Sequence, residues 1–407
     1  MKRFYGWVIV FSSFVSVFLV GGIQSSFGAF IVPLSNEFGW GRATISLAMS
    51  ISLVVAAASY ILIGRLVDRF GSRIVVIVTS LLVGIVLVLL STVSDLWQLY
   101  LLIGVGVGFG LSGLGQVPNA TLVAKWFSKK RTMAMSVLQS SFPLGLVVLV
   151  PLAAYIILHF GWRVGWLFFG VATLATIPLF FLILVRNTPS EMDGSPKDSS
   201  LNSSHNRKSS VVNGDKIHLI EAVKTRSYLL LIAVFFFCGL TDIPIFTHFI
   251  PFALDLGLSE MVAASAFGLT SGFMLLGTFF VGGISGRFGE KNSLQAVYLI
   301  RGTSLILALF VNDFMSLSAF SVIFGFSTFA MMPVTSTWLA DNYGTVYFAT
   351  LWGILQVVHE ISAAIGVYLF GFIFEMFGSY YWGFAGSIFL AFSAAIFSFF
   401  IRTPTSK

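Results

Sequence analysis

The sequence of 407 residues is 57% hydrophobic and only 10% charged, and its mean hydropathy is +0.95. A soluble domain carries about 25% charged residues, so this composition excludes an ordinary soluble protein and predicts a polytopic membrane protein. The formal net charge is +7. The single cysteine, Cys238, lies inside an apolar run, which excludes a disulfide framework and a paired-thiol metal site.

Apolar runs of about 18 residues or more recur along the chain, and each is long enough to cross a hydrocarbon core about 30 Å thick. They predict twelve membrane helices. The first six are predicted at residues 5–34, 43–66, 73–92, 96–125, 131–158 and 163–185. The second six are predicted at residues 227–253, 261–286, 293–311, 314–341, 346–374 and 380–402.

Between the two sets of helices, the chain has a polar segment, RNTPSEMDGSPKDSSLNSSHNRKSSVVNGDK, which begins at residue 186. Ser, Asn, Pro and charged residues dominate it, and such a composition cannot bury a hydrophobic core. We therefore predict a solvated, disordered cytoplasmic linker at 186–226. It joins an N-terminal bundle at 1–185 to a C-terminal bundle at 227–407.

The basic residues are distributed unequally between the two sides of the predicted membrane. If the N-terminus is cytoplasmic, twenty of the 23 Lys and Arg residues fall in cytoplasmic segments; Arg42 and Arg163 fall outside, and Arg301 falls within a helix. This bias follows the positive-inside rule and predicts that both termini are cytoplasmic. The positive charge is then explained by topology and by anionic lipid headgroups, without a nucleic-acid partner.

The two halves of the chain repeat a pattern at one fixed offset. PLSNEFGW at 33–40 matches PFALDLGL at 251–258, and GRLVDRFGSR at 64–73 matches GGISGRFGEK at 282–291, with 218 residues between the copies in both cases. An even number of helices per half makes this a parallel repeat, related by an axis along the membrane normal. The repeat predicts two halves that rock around a substrate site between them.

GRLVDRFGSR, between predicted helices 2 and 3, resembles the signature loop of the major facilitator superfamily, and the resemblance covers essentially the whole chain. Other segments resemble its monocarboxylate porter and oxalate/formate exchanger branch: SSFGAFIVPLSNEFGWGRATIS, GVGVGFGLSGLG, VAKWFSKKRTMAM and THFIPFALDLGLS. The resemblance implies an all-α membrane protein of twelve transmembrane helices in two pseudo-symmetric six-helix bundles. It also implies a cavity lined by helices 1, 4, 7 and 10.

The signature loop is the expected gating loop, formed by Gly64, Asp68, Arg69, Gly71 and Arg73. Its glycines allow tight turns, and Asp68 and the arginines can hydrogen-bond helix ends and a neighbouring helix in one conformational state. The alternative is that the arginines only hold the loop on the cytoplasmic side. In the second copy Gly286 replaces the aspartate, so any such contact is asymmetric.

Ionisable residues within the membrane are costly, so each one is a functional candidate. On helix 11, Gln356, His359 and Glu360 span about 100° of arc and form one polar stripe near mid-membrane. Asp242 on helix 7 precedes a proline, which can open the helix. We predict that Glu360, His359 and Asp242 carry or gate protons. The alternatives are a hydrogen-bonded clamp between helices and, for Asp242, a partner for a cation such as Arg301.

A second group of polar residues is expected to contact substrate. His248 resembles the substrate-facing histidine of bacterial monocarboxylate porters, with a helix cap as the alternative. The uncharged lining candidates are Asn119, Gln116, Gln139 and Gln24. Arg301 is either an anion contact or, as its place near the cytoplasmic end of the peripheral helix 9 favours, a structural ion pair or headgroup contact.

The sequence departs from this branch at three places where relatives carry a cation. Helix 8 has Thr278 and Phe279 in place of an arginine, helix 1 lacks the lysine of the animal lactate porters, and helix 11 has His359-Glu360 near the lysine of oxalate-type members. A dicarboxylate substrate is therefore disfavoured. A monocarboxylate remains favoured, with a protonated histidine as the source of positive charge.

The sequence thus predicts a secondary active transporter of a small organic anion, foremost a monocarboxylate, coupled to protons and working by rocker-switch alternating access as a plasma-membrane monomer. It has no phosphate-binding Gly-Lys motif, metal cluster or nucleophile triad, so we expect neither an enzyme nor a cofactor. The alternatives are an anion exchanger and a proton-driven exporter of another small molecule, which the acids Asp242 and Glu360 favour. From a different class, a non-transporting membrane sensor also remains open.

Overall fold

The computed structural model of the chain describes residues 2–128, 130–188 and 219–402, and all regular structure in these ranges is helical. The first half contains α1 (Lys2–Phe38), α2 (Arg42–Phe70), α3 (Ser72–Leu90), α4 (Leu96–Trp126), α5 (Arg131–Phe160) and α6 (Trp162–Ile183). The second half contains α7 (Arg226–Asp255), α8 (Glu260–Phe288), α9 (Glu290–Ala308), α10 (Phe314–Tyr343), α11 (Phe348–Phe377) and α12 (Tyr381–Phe399).

Eleven of these helices are long and apolar enough to cross a membrane by length and composition. The twelfth, α9, is also of spanning length, but Lys291, Asn292, Gln295 and Arg301 make it more polar. The predicted fold class, an all-α membrane protein of twelve helices in two six-helix bundles, is confirmed. The helix bounds agree with the predicted ones to within about four residues, because long apolar runs define them.

Most of the linker predicted at 186–226 lies outside the described residues, which resume at Leu219. The described end of that segment differs from the prediction, because a short helix, Leu219–Lys224, precedes α7. Its Ala222 is buried, and Leu219 and Val223 pack against the same apolar core. Apolar residues at helical spacing therefore order this end of the segment despite its polar neighbours.

The internal repeat reappears in helix packing. A Cβ atom on Gly21 of α1 would collide with the carbonyl oxygen of Phe142 on α5. A Cβ atom on Gly239 of α7, which lies 218 residues after Gly21, would collide with the carbonyl oxygen of His359 on α11. Small residues allow membrane helices to approach this closely. The α1–α5 and α7–α11 pairs therefore pack in equivalent ways in the two bundles.

Four helices are broken near their middle. The breaks lie at Gly115 in α4, Ser140 in α5, Asp242 in α7 and Phe329 in α10. A proline follows each break within about four residues, at 118, 143, 244 and 333. Because a proline ring has no N–H and displaces the preceding turn, each break frees carbonyl groups that other groups must satisfy inside the membrane.

The two bundles meet at one end. We call this end the terminal side, because residues 2 and 402 lie there. A Cβ atom on Gly64 of α2 would be 2.7 Å from the carbonyl oxygen of Ala349 on α11, and one on Gly353 would be 2.7 Å from the carbonyl oxygen of Tyr60. Gly282 on α8 closely approaches Ser136 on α5 in the same way. The halves of these helices that lie toward the terminal side therefore close the space between the bundles.

Candidate functional site

Asp242 and His359, two of the predicted proton carriers, contact each other. Asp242 occupies the break in α7, and its Oδ2 lies 3.1 Å from His359 Nε2 on α11. The same oxygen accepts a hydrogen bond from Cys238 Sγ at 3.3 Å. Asp242 is 4% exposed and His359 is 5% exposed. Two groups separated by more than a hundred residues thus form one buried pair near the middle of α7.

Arg301 lies in the same cluster and is completely buried. Its Nη1 donates to Cys238 Sγ at 2.9 Å. Its Nη2 donates to the carbonyl oxygens of Thr328 at 2.5 Å and Ser327 at 3.2 Å, which lie just before the break in α10. The guanidinium is therefore held by protein groups of α7 and α10. Its predicted alternative contact with a lipid headgroup is wrong, because no part of the side chain reaches the surface.

Glu360 faces a different neighbour from that of His359. It is half-buried and interacts electrostatically with Tyr60 on α2, in the other bundle. Its carboxylate forms no hydrogen bond with any group in the described ranges. The predicted polar stripe on α11 is thus divided, because His359 is directed into its own bundle and Glu360 is directed across the interface. Together with Asp242 and Arg301, these two residues place four ionisable groups in one low-dielectric region.

Cys238, Asp242 and His359 offer sulfur, oxygen and nitrogen atoms that lie within 4.8 Å of one another. By residue type this set could bind Zn²⁺ or another transition metal. The permanent positive charge of Arg301 lies 2.9 Å from the sulfur, however, and would repel a second cation at this distance. We therefore assign the cluster to hydrogen bonding and ion pairing.

Three predicted substrate contacts, Asn119, Gln116 and Gln139, lie near the breaks in α4 and α5. Asn119 Nδ2 donates to the carbonyl oxygens of Leu114 at 2.7 Å and Gly115 at 2.9 Å and so satisfies the break in α4. Its Oδ1 is buried without a hydrogen-bond partner, as are both amide atoms of Gln116 and of Gln139. In the C-terminal bundle the same holds for Gln356 Oε1, His359 Nδ1 and Trp352 Nε1. Such orphaned groups are costly, so each needs an explanation.

The other two predicted substrate contacts lie elsewhere. Gln24 lines a small, mainly apolar pocket inside the N-terminal bundle, beside Phe27 and Trp166. His248 Nδ1 lies 3.1 Å from Tyr380 Oη, and its Nε2 lies 3.2 Å from the carbonyl oxygen of Val367. The His248 ring is therefore enclosed by α11 and the start of α12. In this conformation neither of its nitrogens is free for a substrate.

The gating loop joins the two bundles through Asp68. Its Oδ2 accepts hydrogen bonds from Thr350 N at 3.0 Å and Thr350 Oγ1 at 2.6 Å, and its Oδ1 accepts one from Ala349 N at 3.3 Å. An aspartate on α2 thus caps the N-terminus of α11, where unpaired N–H groups and the helix dipole favour a negative charge.

The other members of the loop act within the N-terminal bundle. Arg73 donates from Nε to the carbonyl oxygen of Phe181 at 3.0 Å and from Nη2 to that of Leu182 at 2.5 Å, so it ties α3 to the end of α6. Gly71 joins α2 to α3 with a φ of 86°, which favours glycine. Arg69 is exposed, and its guanidinium lies over the Phe70 ring.

The sequence did not single out two further contacts between the bundles. Arg131 at the start of α5 forms an ion pair with Asp341 near the end of α10. Phe142 on α5 stacks on Phe329 at the break in α10, with ring centroids 5.4 Å apart and an interplanar angle of 7°. With 44 phenylalanines in the chain, composition alone could not distinguish Phe142 and Phe329 from the others. Their positions beside breaks in α5 and α10 are the signal that could have identified them.

The family model described as Major Facilitator Superfamily matches residues 13–301, which is well over half of the chain. The chain belongs to the Major Facilitator Superfamily. This confirms the resemblance of its signature loop and identifies it as a multi-pass membrane protein whose curated relatives are transporters.

Among the relatives of this superfamily member is the uncharacterised MFS-type transporter YcxA of Bacillus subtilis (strain 168), which is 24% identical and aligns over 91% of this chain and 88% of its own length. Monocarboxylate transporter 2 of Homo sapiens is 26% identical, over 92% of this chain and 81% of its own length. The crystal structure of the transporter FucP in the outward conformation matches with a TM-score of 0.73 and 15% identity, over 98% of this chain and 100% of its own. At that identity the match shows the fold alone.

Proposed function

We propose that this chain is a proton-coupled secondary transporter of small organic anions, with monocarboxylates as its substrate class. The monocarboxylate transporters among its relatives support the substrate class. The observation that carries the proton coupling is the buried Asp242–His359 pair at the break in α7. Buried ionisable groups in membrane helices are costly, and the commonest reason to retain them is to bind or move charge.

The formal charges of the site suit the transport of one anion with one proton. Asp242 and Glu360 carry two negative charges when ionised, and Arg301 and protonated His359 carry two positive charges. One further proton, on either acid, leaves the site with a net charge of +1. A single carboxylate then restores neutrality, which a low-dielectric site strongly favours. In this way the site attracts the anion without the helix 8 arginine that related porters carry.

The substrate would bind between the bundles, next to the breaks in α4, α5 and α7. Gln116, Gln139 and the free Oδ1 of Asn119 supply hydrogen bonds from one bundle, and Gln356 supplies one from the other. These amides have buried polar atoms without partners, so their satisfaction by a substrate or by water would lower the free energy of the loaded state. Small movements of the two bundles would bring them into contact with the substrate.

Alternating access would follow from rocking of the bundles, residues 1–185 against residues 227–407. The positive-inside rule supports a cytoplasmic terminal side, and we propose the plasma membrane as the location. The contacts of α2 with α11 and of α5 with α8 then close the cytoplasmic side. The conformation described is accordingly the outward-facing one, and the Asp68 cap on α11 stabilises it. We propose that the transporter works as a monomer, because each chain contains both bundles.

Transport by purified protein in proteoliposomes tests this function. Labelled L-lactate and pyruvate are offered with and without an inward proton gradient, and oxalate serves as the dicarboxylate comparison. We expect gradient-driven accumulation of the monocarboxylates, which Asp242→Asn and Glu360→Gln abolish. The matched control is Asp95→Asn, because Asp95 is an exposed acid outside the site. If no organic anion accumulates, the proposed substrate class is wrong. If the rate of uptake is the same without the proton gradient and in both variants, the proposed proton coupling is wrong.

A second candidate function is a proton-driven exporter of a small cationic compound. The observation that favours it is the carboxylate of Glu360 beside the bundle interface, which forms no hydrogen bond in the described ranges, while both terminal nitrogens of Arg301 bond protein groups. Proton-driven uptake of a labelled organic cation into inverted vesicles, lost in Glu360→Gln, would support this candidate over the first.

A further inference from the structure

Arg301 connects two broken helices from a third. Its side chain extends from α9, and its two terminal nitrogens bond Cys238 on α7 and the carbonyl oxygens of Ser327 and Thr328 on α10. The planar guanidinium suits this task, because it presents several N–H donors in fixed directions. Its Nε is buried without a partner, so the residue is not optimised for stability alone.

The α7 end of this connection is the proton site. Cys238 Sγ donates to Asp242 Oδ2 at 3.3 Å and accepts from Arg301 Nη1 at 2.9 Å. One sulfur atom therefore contacts both the acid and the cation. The ionisable groups that face Asp242 are His359 and Glu360 from α11, Arg301 and Tyr298 from α9, and Cys238 from its own helix.

The α10 end of the connection is the break between the two parts of that helix. The carbonyls of Ser327 and Thr328 accept from Arg301, and Met332 N donates to the carbonyl oxygen of Phe329 at 3.1 Å. The next residue after Thr328 is Phe329, whose ring stacks on Phe142 of the other bundle. Both rings are only half-buried.

We propose that Arg301 is a positioning residue that transmits the protonation of Asp242 to the break in α10 and thus to the Phe142–Phe329 contact between the bundles. This inference rests on the proposed function and adds a route for its coupling. When Asp242 is ionised, its charge and the shared sulfur hold Arg301 between α7 and α10. A proton on Asp242 removes that charge, so the guanidinium is no longer held toward α7 and can move together with the break in α10 and Phe329.

The single cysteine of the chain makes a direct test simple. Cys238→Ser gives a cysteine-free protein in which the hydroxyl can still accept from Arg301 and donate to Asp242. Cys238→Ala is its matched partner, which is also cysteine-free but breaks the connection. New cysteines at Ser128 and Asn292, both exposed on the terminal side, one in each bundle, carry spin labels. The distance between the labels then reports opening of that side, and no substrate is needed.

The distance distribution is measured in nanodiscs at acidic and alkaline pH. We expect the Cys238→Ser protein to shift between its closed and open populations with pH. The shift should be lost in Cys238→Ala and in Arg301→Gln on the Cys238→Ser background. Arg301→Lys should not restore it, because an ammonium keeps the charge but cannot span the sulfur and the two carbonyls. Should Arg301→Gln fail to fold, the Ser and Ala pair tests the same connection.

Asp242→Asn on the same background separates this inference from the proposed function. If Asp242→Asn removes the pH response but Cys238→Ala, Arg301→Gln or Arg301→Lys retains it, the role of Arg301 is refuted and the proton site stands. If Asp242→Asn retains the response, the proton site itself is refuted. A flat response already in the Cys238→Ser protein overturns both.

Discussion

The replacement of Asp68 by asparagine should shift the protein toward a state that is open on the terminal side. Asp68 accepts three hydrogen bonds from the first turn of α11, two of them from backbone N–H groups. Those bonds exist only while α2 and α11 are in contact. Asparagine has nearly the same shape, but it has no negative charge and only one acceptor oxygen.

The size of the shift follows from these contacts. A hydrogen bond to a charged group contributes about 1.5–3 kcal/mol, against about 0.5–1.5 kcal/mol for a neutral one. A charge at a helix N-terminus adds about 0.3–1 kcal/mol. Asp68 is half-buried, so solvent screens part of its charge. We therefore expect Asp68→Asn to disfavour the closed state by about 1–2 kcal/mol, a factor of about 5–30 in the equilibrium.

The spin labels at positions 128 and 292 measure this equilibrium directly, as the ratio of long to short distances. Asp313→Asn is the matched control, because Asp313 caps the N-terminus of α10 within one bundle and on the opposite side. The hydroxyl and backbone N–H of Ser316 donate to its carboxylate and lower its pKa. An unchanged ratio in Asp68→Asn would refute the reasoning, and so would an equal shift in Asp313→Asn.

Three further substitutions test how the helices are held. Gly239→Ala should destabilise the protein by about 1–3 kcal/mol in thermal unfolding, because the new Cβ would collide with the α11 backbone. The control is Gly268→Ala, which should leave stability unchanged because a Cβ there meets nothing within 4 Å. Arg73→Gln should lower thermal stability by about 1–3 kcal/mol and leave KM unaltered, because two carbonyls of α6 lose their hydrogen-bond donor. A raised KM at full stability would contradict a purely structural role of Arg73. His248→Gln should likewise lower stability and leave KM within about twofold, because the ring contacts Tyr380 and Val367. A tenfold rise in KM, worth about 1.4 kcal/mol, would instead indicate that His248 contacts the substrate.

The sequence predicted what depends on continuous apolar length and on repetition. Long apolar runs placed the helices, and the offset of 218 residues between the signature-loop copies reappears between Gly21 and Gly239 in packing. The polar residues inside the membrane were also identified, because so few exist that each is conspicuous. The ordered helix at Leu219–Lys224 was missed, because the polar composition of its surroundings concealed a short amphipathic turn.

The direction in which each polar side chain points could not be predicted. In a chain with this much apolar surface, lipid-facing and bundle-facing positions look alike, so helical periodicity carries little information about orientation. The sequence therefore predicted that His248 faces the cavity, whereas it contacts Tyr380. The Asp242–His359 pair and the sulfur bridge to Arg301 join distant segments, and only the packed helices bring them together.

The loss of the aspartate from the second signature loop makes the two flanks of the closed face unlike. Along α2 and α11, a carboxylate holds backbone N–H groups where two glycines let the helices touch. On the other flank, where α5 meets α8 and α10, the tie is the ion pair of Arg131 with Asp341, whose side chains are 11% and 41% exposed. Dissolved salt weakens a partly exposed ion pair more than hydrogen bonds to backbone N–H groups at a helix cap. Rising ionic strength should thus weaken the contact of α5 with α10 before that of α2 with α11, so the bundles should begin to separate along α5.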